Sequence, residues 1–302
     1  MHFYGSGMTR TDHSSGLAYA MAANLVWGTF PVYFKMLEHV GPALVIGYRM
    51  LWATVVLVIA LFVLRQWYAV KAAFQSIGVL KLLLLSTVLM GISWGLYIWA
   101  VHSERIIETA MGYYLSPMMT VVVGLVMFKE HLNAWQWVAI AMAACGVLSM
   151  IVFSGYVPWI GIILGAAFAL YSGIRKLVGV ESLVGMCIET LLLCPLGLIV
   201  ILVFAPSQSG ALDVMTHLQL AGSGLITIVP IIWYVAAARR LSLTTLGTLF
   251  YLAPTISFFV GVFVYDEPFT KIHGVMFVLI WAGLVIYSLN AFTTARRLAT
   301  EG

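Results

Sequence analysis

Two ionisable residues fall well inside long apolar stretches of this chain: Arg49, in GYRMLWATVV, and Glu189, in MCIETLLL. A charge at the centre of a bilayer-spanning helix costs about 2.5–3.5 kcal/mol even on a permissive insertion scale, so it faces a partner or a watery cavity. A shift of 140 residues brings Arg49 onto Glu189. The two either pair with one another or each serve one half of the molecule. As chemistry, this is either a static ion pair that locks two halves together, or a proton-coupling carboxylate whose ionisation the arginine tunes.

Aromatic residues form the second set. Trp94 and Tyr97 are three residues apart and share one helix face. Trp27, Tyr114, Tyr171, Trp233, Tyr234 and Tyr251 sit deep in other apolar stretches, with Asn24 and Ser93 as amide and hydroxyl handles. Such a lining suits aromatic or amphipathic small molecules, and ordinary packing between helices is the competing account. Trp67, Trp135, Trp137 and Trp159 lie near stretch ends, where an interfacial belt explains them. A Tyr-x-x-Pro occurs twice, as Tyr114/Pro117 and Tyr251/Pro254. Each proline removes a backbone donor, which makes a kink or a gate. Glu130 and Glu267 close their stretches and read as solvated or capping groups. Cys145, Cys187 and Cys194 all fall in apolar runs as small hydrophobes, and the seven histidines make no ligand set. No metal and no cofactor is expected.

The elements that carry these residues follow from composition. Of 302 residues, 63% are hydrophobic and 9% charged. A soluble domain runs near 45–50% apolar and about 25% charged, so a water-soluble globule is excluded. No basic stripe suggests nucleic acid, despite the formal charge of +4. Residues 1–15 are polar and lack the apolar core of a signal peptide. Ten apolar spans are predicted near 16–36, 42–64, 80–101, 109–128, 134–153, 157–174, 183–204, 218–238, 245–265 and 271–292. Backbone satisfaction in lipid makes them helices, so the expected class is an all-α integral membrane protein in the lipid bilayer. With the N-terminus inside, eleven Lys and Arg fall on the cytoplasmic side and three, Lys35, Arg105 and Lys271, on the other. Both termini are therefore expected to be cytoplasmic.

An internal repeat organises the spans. A shift of 137 residues aligns YYLSPMMTVVVGLVMFKE (113–130) with FYLAPTISFFVGVFVYDE (250–267). Tyr97, Tyr114, Pro117, Gly124, Glu130 and Gly146 then meet Tyr234, Tyr251, Pro254, Gly261, Glu267 and Gly283. Five spans fit within the offset, an odd number, so the copies must be inverted in the membrane, as in secondary transporters. The expected units are a polar tail (1–15), two inverted five-helix repeats (16–154 and 155–292) and a cytoplasmic tail (293–302).

SWGLYIWAV (93–101), MGYYLSPMMTVVVG (111–124), FKE (128–130), VESLVGMCIETLLLCPLG (180–197) and LSLTTLGTLFYLAPT (241–255) resemble the RarD family of the EamA group, drug/metabolite transporter superfamily. Ser93 departs from that family's pattern, which would place an asparagine before the tryptophan. The resemblance implies ten helices in two inverted halves, residence in the bacterial inner membrane, and export of small metabolites or drugs. It also implies that the third- and fourth-span aromatics surround a central site. No Walker motif is present, so proton antiport is the expected drive, making protons and a small-molecule substrate the partners. A lipid or polyprenol flippase on the same fold is the alternative, and an integral-membrane transferase a further one for which the loops are short. Pro254→Ala is expected to slow turnover more than it lowers protein level, checked by flux and immunoblot on the same vesicles; equal losses would mark a packing role.

Overall fold

The computed structural model describes residues 10–129, 131–238, 240–241 and 249–301. Glu130, Arg239, Gly247 and the start of the ninth predicted span (242–248) lie outside the described residues. All regular structure among the described residues is helical. It runs α1 (Arg10–Gly28), α2 (Phe30–Lys35), α3 (Pro42–Val63), α4 (Trp67–Gln75), α5 (Ile77–His102), α6 (Ile106–Phe128), α7 (Ala134–Ser154) and α8 (Trp159–Leu177). It continues with α9 (Ser182–Phe204), a 3-10 turn (Pro206–Ala211), α10 (Val214–Ala238), α11 (Leu252–Phe263) and α12 (Lys271–Glu301).

Eight of these helices, α3, α5 to α10 and the Lys271–Asn290 part of α12, are long and apolar enough to cross a membrane. The other two predicted spans differ for local reasons. The first divides at Thr29, whose hydroxyl bonds back to the carbonyls of Leu25 (3.0 Å) and Val26 (3.1 Å). Pro31 follows and cannot donate to the turn before it, so the chain restarts as the short α2. Of the ninth span, α11 contributes twelve residues. The Arg65–Lys81 connection holds α4, a short helix off the bundle interior. Helix α7 starts at a capping box, Asn133 Oδ1 accepting from the Gln136 N–H (3.0 Å) and Gln136 Oε1 from the Asn133 N–H (2.9 Å).

Helix α3 packs along α9, α7 along α12, α6 along α8 and α11, and α1 along α10. Small residues set the closest approaches. A methyl added at Gly146 would sit 3.0 Å from the Met276 carbonyl oxygen, and one at Gly283 would sit 2.8 Å from that of Ala139. These are two copies of one contact, because Met276 and Gly283 are the mates of Ala139 and Gly146 at the 137-residue offset. On α3 and α9, Gly47 and Gly197 each lie against the other's carbonyl, 3.0 Å from an added methyl. Such glycines let backbones touch in lipid, where apolar burial does not drive helices together.

One end of the bundle is heavily cross-linked. There Gln208 Oε1 accepts from the Gly41 N–H (2.6 Å), His39 bonds Thr216 (3.1 Å), and the His102 ring reaches the Leu37 carbonyl (3.2 Å). Glu267 is buried and caps α6, accepting from the N–H groups of Ile106 (2.6 Å) and Ile107 (2.8 Å). Burial pushes its carboxyl above the ordinary carboxylate range, and the Ile107 and Ile106 donors pull it back. Of the two expectations for this residue, solvated or capping, the cap is what forms. Lys35, buried beneath Tyr265, pairs with Glu38 (3.2 Å) and Glu104 (3.8 Å) at the same end. At the opposite end Gln66 donates to Glu181 (2.9 Å), a link exposed to solvent.

Gly146→Ala and Gly283→Ala are each expected to cost about 1–3 kcal/mol of stability, the usual penalty for forcing a methyl into a filled contact. Gly78→Ala, where an added methyl meets nothing within 4 Å, is the matched control and should be neutral or stabilising. Unfolding in detergent micelles measures all three.

Candidate functional site

Glu189 and Arg49 occupy matching depths from opposite ends. Each lies seven residues into its helix, α9 and α3 respectively, about 10 Å along the axis at 1.5 Å per residue. They do not meet. Glu189 is wholly buried between α5, α8 and α9. Its carboxylate accepts from Ser86 Oγ (2.5 Å) and from the Tyr171 hydroxyl (3.0 Å), and Arg175 Nη1 stands 3.6 Å away. The path of that cation to Glu189 runs over Gly185, one turn earlier on α9, where an added methyl would collide with the Arg175 guanidinium. Arg175 also donates to the Ser182 carbonyl (3.3 Å). Sequence reasoning counted Arg175 among the cytoplasmic charges and missed this role; the signal available was its place one helical turn from Tyr171 on the inner face of α8.

Arg49 sits in an aromatic box. Its guanidinium carbon lies 4.4 Å from the Trp94 ring centroid, 5.1 Å from Phe34 and 5.7 Å from Phe30. Each face of this kind contributes about 0.5–2 kcal/mol to a desolvated cation. Its Nε donates to Thr227 Oγ1 on α10 (3.1 Å). Nη1 has no hydrogen-bond partner among the described residues, and the side chain is 4% exposed.

From this box a chain of rings runs through the interior. Phe34 and Phe30 touch Tyr97 (6.2 and 6.4 Å between centroids), and Tyr97 touches Tyr113 (6.2 Å). Phe168 (6.5 Å), Phe250 (6.0 Å), Tyr234 (6.1 Å) and Trp27 (5.4 Å) follow in order. Trp27, Trp94, Tyr97 and Tyr234 thus join one surface with residues from α1, α2, α5, α6, α8 and α10. Phe30, Phe34, Phe168 and Phe250 belong to it and were missed, since phenylalanine in an apolar helix carries no signal of its own. Tyr113, between Tyr97 and Phe168, belongs to it as well.

Tyr114 and Tyr251 are brought together elsewhere. They stack on one another (6.5 Å, 14° between planes), and the Tyr114 hydroxyl bonds Thr255 (2.5 Å). Phe277 and Trp281 of α12 close round them. Asn24 is buried on α1 with Nδ2 donating to the Ala20 carbonyl (2.8 Å), while its Oδ1 has no partner among the described residues. Ser93 and Trp233 are half-buried on α5 and α10. The two prolines differ in place. Pro117 lies inside α6, whereas Pro254 stands in the first turn of α11, after Tyr251, whose φ and ψ (−70° and −11°) stay helical. Among the described residues no group of three or more His, Cys, Asp or Glu could hold a metal ion.

The EamA-like transporter family model matches residues 14–153. The chain is similar to Protein RarD of Escherichia coli (strain K12), 35% identical across 93% of this chain and 96% of that protein. It is also similar to the uncharacterized transporter YojE of Bacillus subtilis (strain 168), 34% identical across 94% and 96%. The chloramphenicol-sensitive protein RarD of Pseudomonas aeruginosa is 27% identical across 95% and 98%. A solved crystal structure shares the fold over 92% of this chain and 99% of its own, with a TM-score of 0.54 at 20% identity.

Arg175→Gln is expected to destabilise by about 3 kcal/mol, because it leaves a buried carboxylate without its cation. Arg175→Gln/Glu189→Gln should recover most of that loss, since the neutral amide accepts from one of the two hydroxyls, Ser86 or Tyr171, and donates to the other. A double-mutant cycle on chemical unfolding in micelles reads the coupling; additive losses would show that the pair does not interact.

Proposed function

This chain belongs to the RarD family of EamA-like transporters, and on that premise we propose that it is a secondary exporter of small metabolites or drug-like molecules. It works by alternating access across the bacterial inner membrane, with both termini cytoplasmic and proton entry as the drive. That it is a multi-pass membrane transporter follows from the family and from its long apolar helices; the direction, the coupling ion and the orientation are what we add.

One observation carries the coupling: Glu189 is fully buried, balanced among the described residues by Arg175, and held by two hydroxyl donors. A carboxylate so placed can take up a proton without leaving a net charge stranded, provided that Arg175 moves toward water. Arg175 lies two residues from the end of α8 and 12% exposed, so its path out is short. Protonation would then loosen α8 from α9, a local event able to bias a two-state packing.

The inverted ten-span plan is supported by the doubled Gly146–Met276 and Gly283–Ala139 contact and by the stacked repeat mates Tyr114 and Tyr251. The family model's stretch, 14–153, coincides with the first expected repeat. In the orientation set by eleven basic residues against three, the cross-linked end faces the periplasm. The present arrangement is then shut on that side, with Glu267 and Gln208 among the groups that must release when it opens.

A screen of metabolites and antibiotics tests this. Cells overexpressing the chain should accumulate less of at least one compound than cells expressing Arg49→Gln/Glu189→Gln, and identical profiles would overturn the proposal. In proteoliposomes loaded with that compound, Glu189→Gln is expected to lose flux driven by a pH gradient while keeping substrate exchange. Gradient-driven flux unchanged in the variant would remove Glu189 from the coupling.

A further inference from the structure

We propose that Arg49 is the recognition point for the carboxylate of a small organic monoanion with an apolar or aromatic body. This deepens the transport reading and rests on it for its biological meaning, but the binding site stands on its own geometry.

Charge balance is the first argument. Lys35 has Glu38 and Glu104, Arg105 has Glu108, and Arg175 has Glu189. Arg49 is more buried than any of these cations and, among the described residues, faces no carboxylate within ion-pair distance. A guanidinium kept in a low-dielectric interior without a counter-ion is a standing cost, and a bound anion would remove it.

The geometry also leaves donors for that anion. Trp94, Phe34 and Phe30 offer π-faces, which attract the cation but accept no N–H as a carboxylate does. Nε is used by Thr227, and Nη1 is unused. A guanidinium held over Trp94 keeps its N–H donors in one planar fork, and a carboxylate in that plane is the group arginine binds most strongly.

The surroundings select the class of anion. One cation and one threonine hydroxyl, with the phenol rings of Tyr97 and then Tyr113 behind Phe34 and Phe30, suit a single negative charge. A phosphate dianion would lack a second cation, because Lys35 is already paired with two carboxylates. The rest of the molecule meets rings. The chain from Tyr97 through Tyr113, Phe168 and Phe250 to Tyr234 and Trp27 leads away from Arg49 with no further formal charge on its members. At 4% exposure the site is occluded, so its ligand enters only when the halves separate.

The test is thermal unfolding and tryptophan fluorescence of the purified full-length protein with acetate, phenylacetate, indole-3-acetate and octanoate. The primary amides of the same acids, and sodium phosphate, are the controls. The wild-type protein is expected to gain thermal stability with the larger carboxylates and not with their amides or phosphate. This comparison needs no variant to fold. Arg49→Gln should weaken carboxylate binding about tenfold or more, the loss of one charge-assisted hydrogen bond, and Arg49→Lys should restore part of it. Equal effects of acids and amides, an equal effect of phosphate, or unchanged affinity in Arg49→Gln would each overturn the proposal. Flux from the screen separates the two readings. Arg49-independent binding in a protein that still transports would sink the anion site and leave the exporter standing. Carboxylate binding lost in Arg49→Gln, in a protein that moves none of the compounds, would sink the exporter and keep the site.

Discussion

A charge in the hydrocarbon interior must be met by something, and the interior of this protein is arranged around two such charges. Glu189 is met by a cation and two hydroxyls. Arg49 is met by three aromatic faces and one hydroxyl. Each solution draws in several helices: α5, α8 and α9 converge on Glu189, while α2, α3, α5 and α10 converge on Arg49. Helix α5 carries partners of both, Ser86 and Trp94, two turns apart. A displacement of α5 would therefore be felt at both charges, which makes it the mechanical link between the proton site and the anion site proposed above.

The second constraint is close backbone contact in a solvent that offers helices little reason to associate. The reciprocal glycine contacts of α7 with α12, and of α3 with α9, bring backbones together where side chains would hold them apart. The two seams differ in their surroundings. Along α7 and α12 the contact is small and apolar, suited to a fixed hinge. Beside α3 and α9 lie Arg49, Thr54 and Glu189, and the Thr54 hydroxyl bonds the Thr190 carbonyl across the seam (2.9 Å). Polar cross-links of this kind hold two arrangements apart in energy by modest amounts, as switching requires.

The repeat was legible at 137 residues because Tyr, Pro, Gly and Glu are rare enough in apolar helices to align without ambiguity. What became of the matched residues was less legible. Pro117 is absorbed inside α6, while its mate Pro254 lies in the first turn of α11, behind a Tyr251 that keeps helical φ and ψ. The same tetrad thus sits mid-helix in one copy and at a helix start in the other, where a missing N–H costs less. Thr29 and Pro31 broke the first span by similar local chemistry, which span counting by hydropathy does not register. Glu267 was recognisable as an acid closing a span; that it caps α6 from 160 residues away was not.

Composition and hydropathy by themselves determined that the chain lives in a bilayer, where eight of its spans fall, and that Arg49 and Glu189 are the charges needing an account. Those conclusions rest on properties each residue has alone: transfer free energy, side-chain volume, the missing donor of proline. Only the tertiary structure decided the partners. Arg175 lies near a helix end in a basic pair that reads as an orientation signal, and in the fold it turns back over Gly185 of α9 to Glu189. Arg49 and Glu189, aligned at a 140-residue shift, left open whether they pair or each serve one half. Helices α3 and α9 run antiparallel, Gly47 against Gly197 and Thr54 against Thr190, so residues seven positions into each lie apart along the seam.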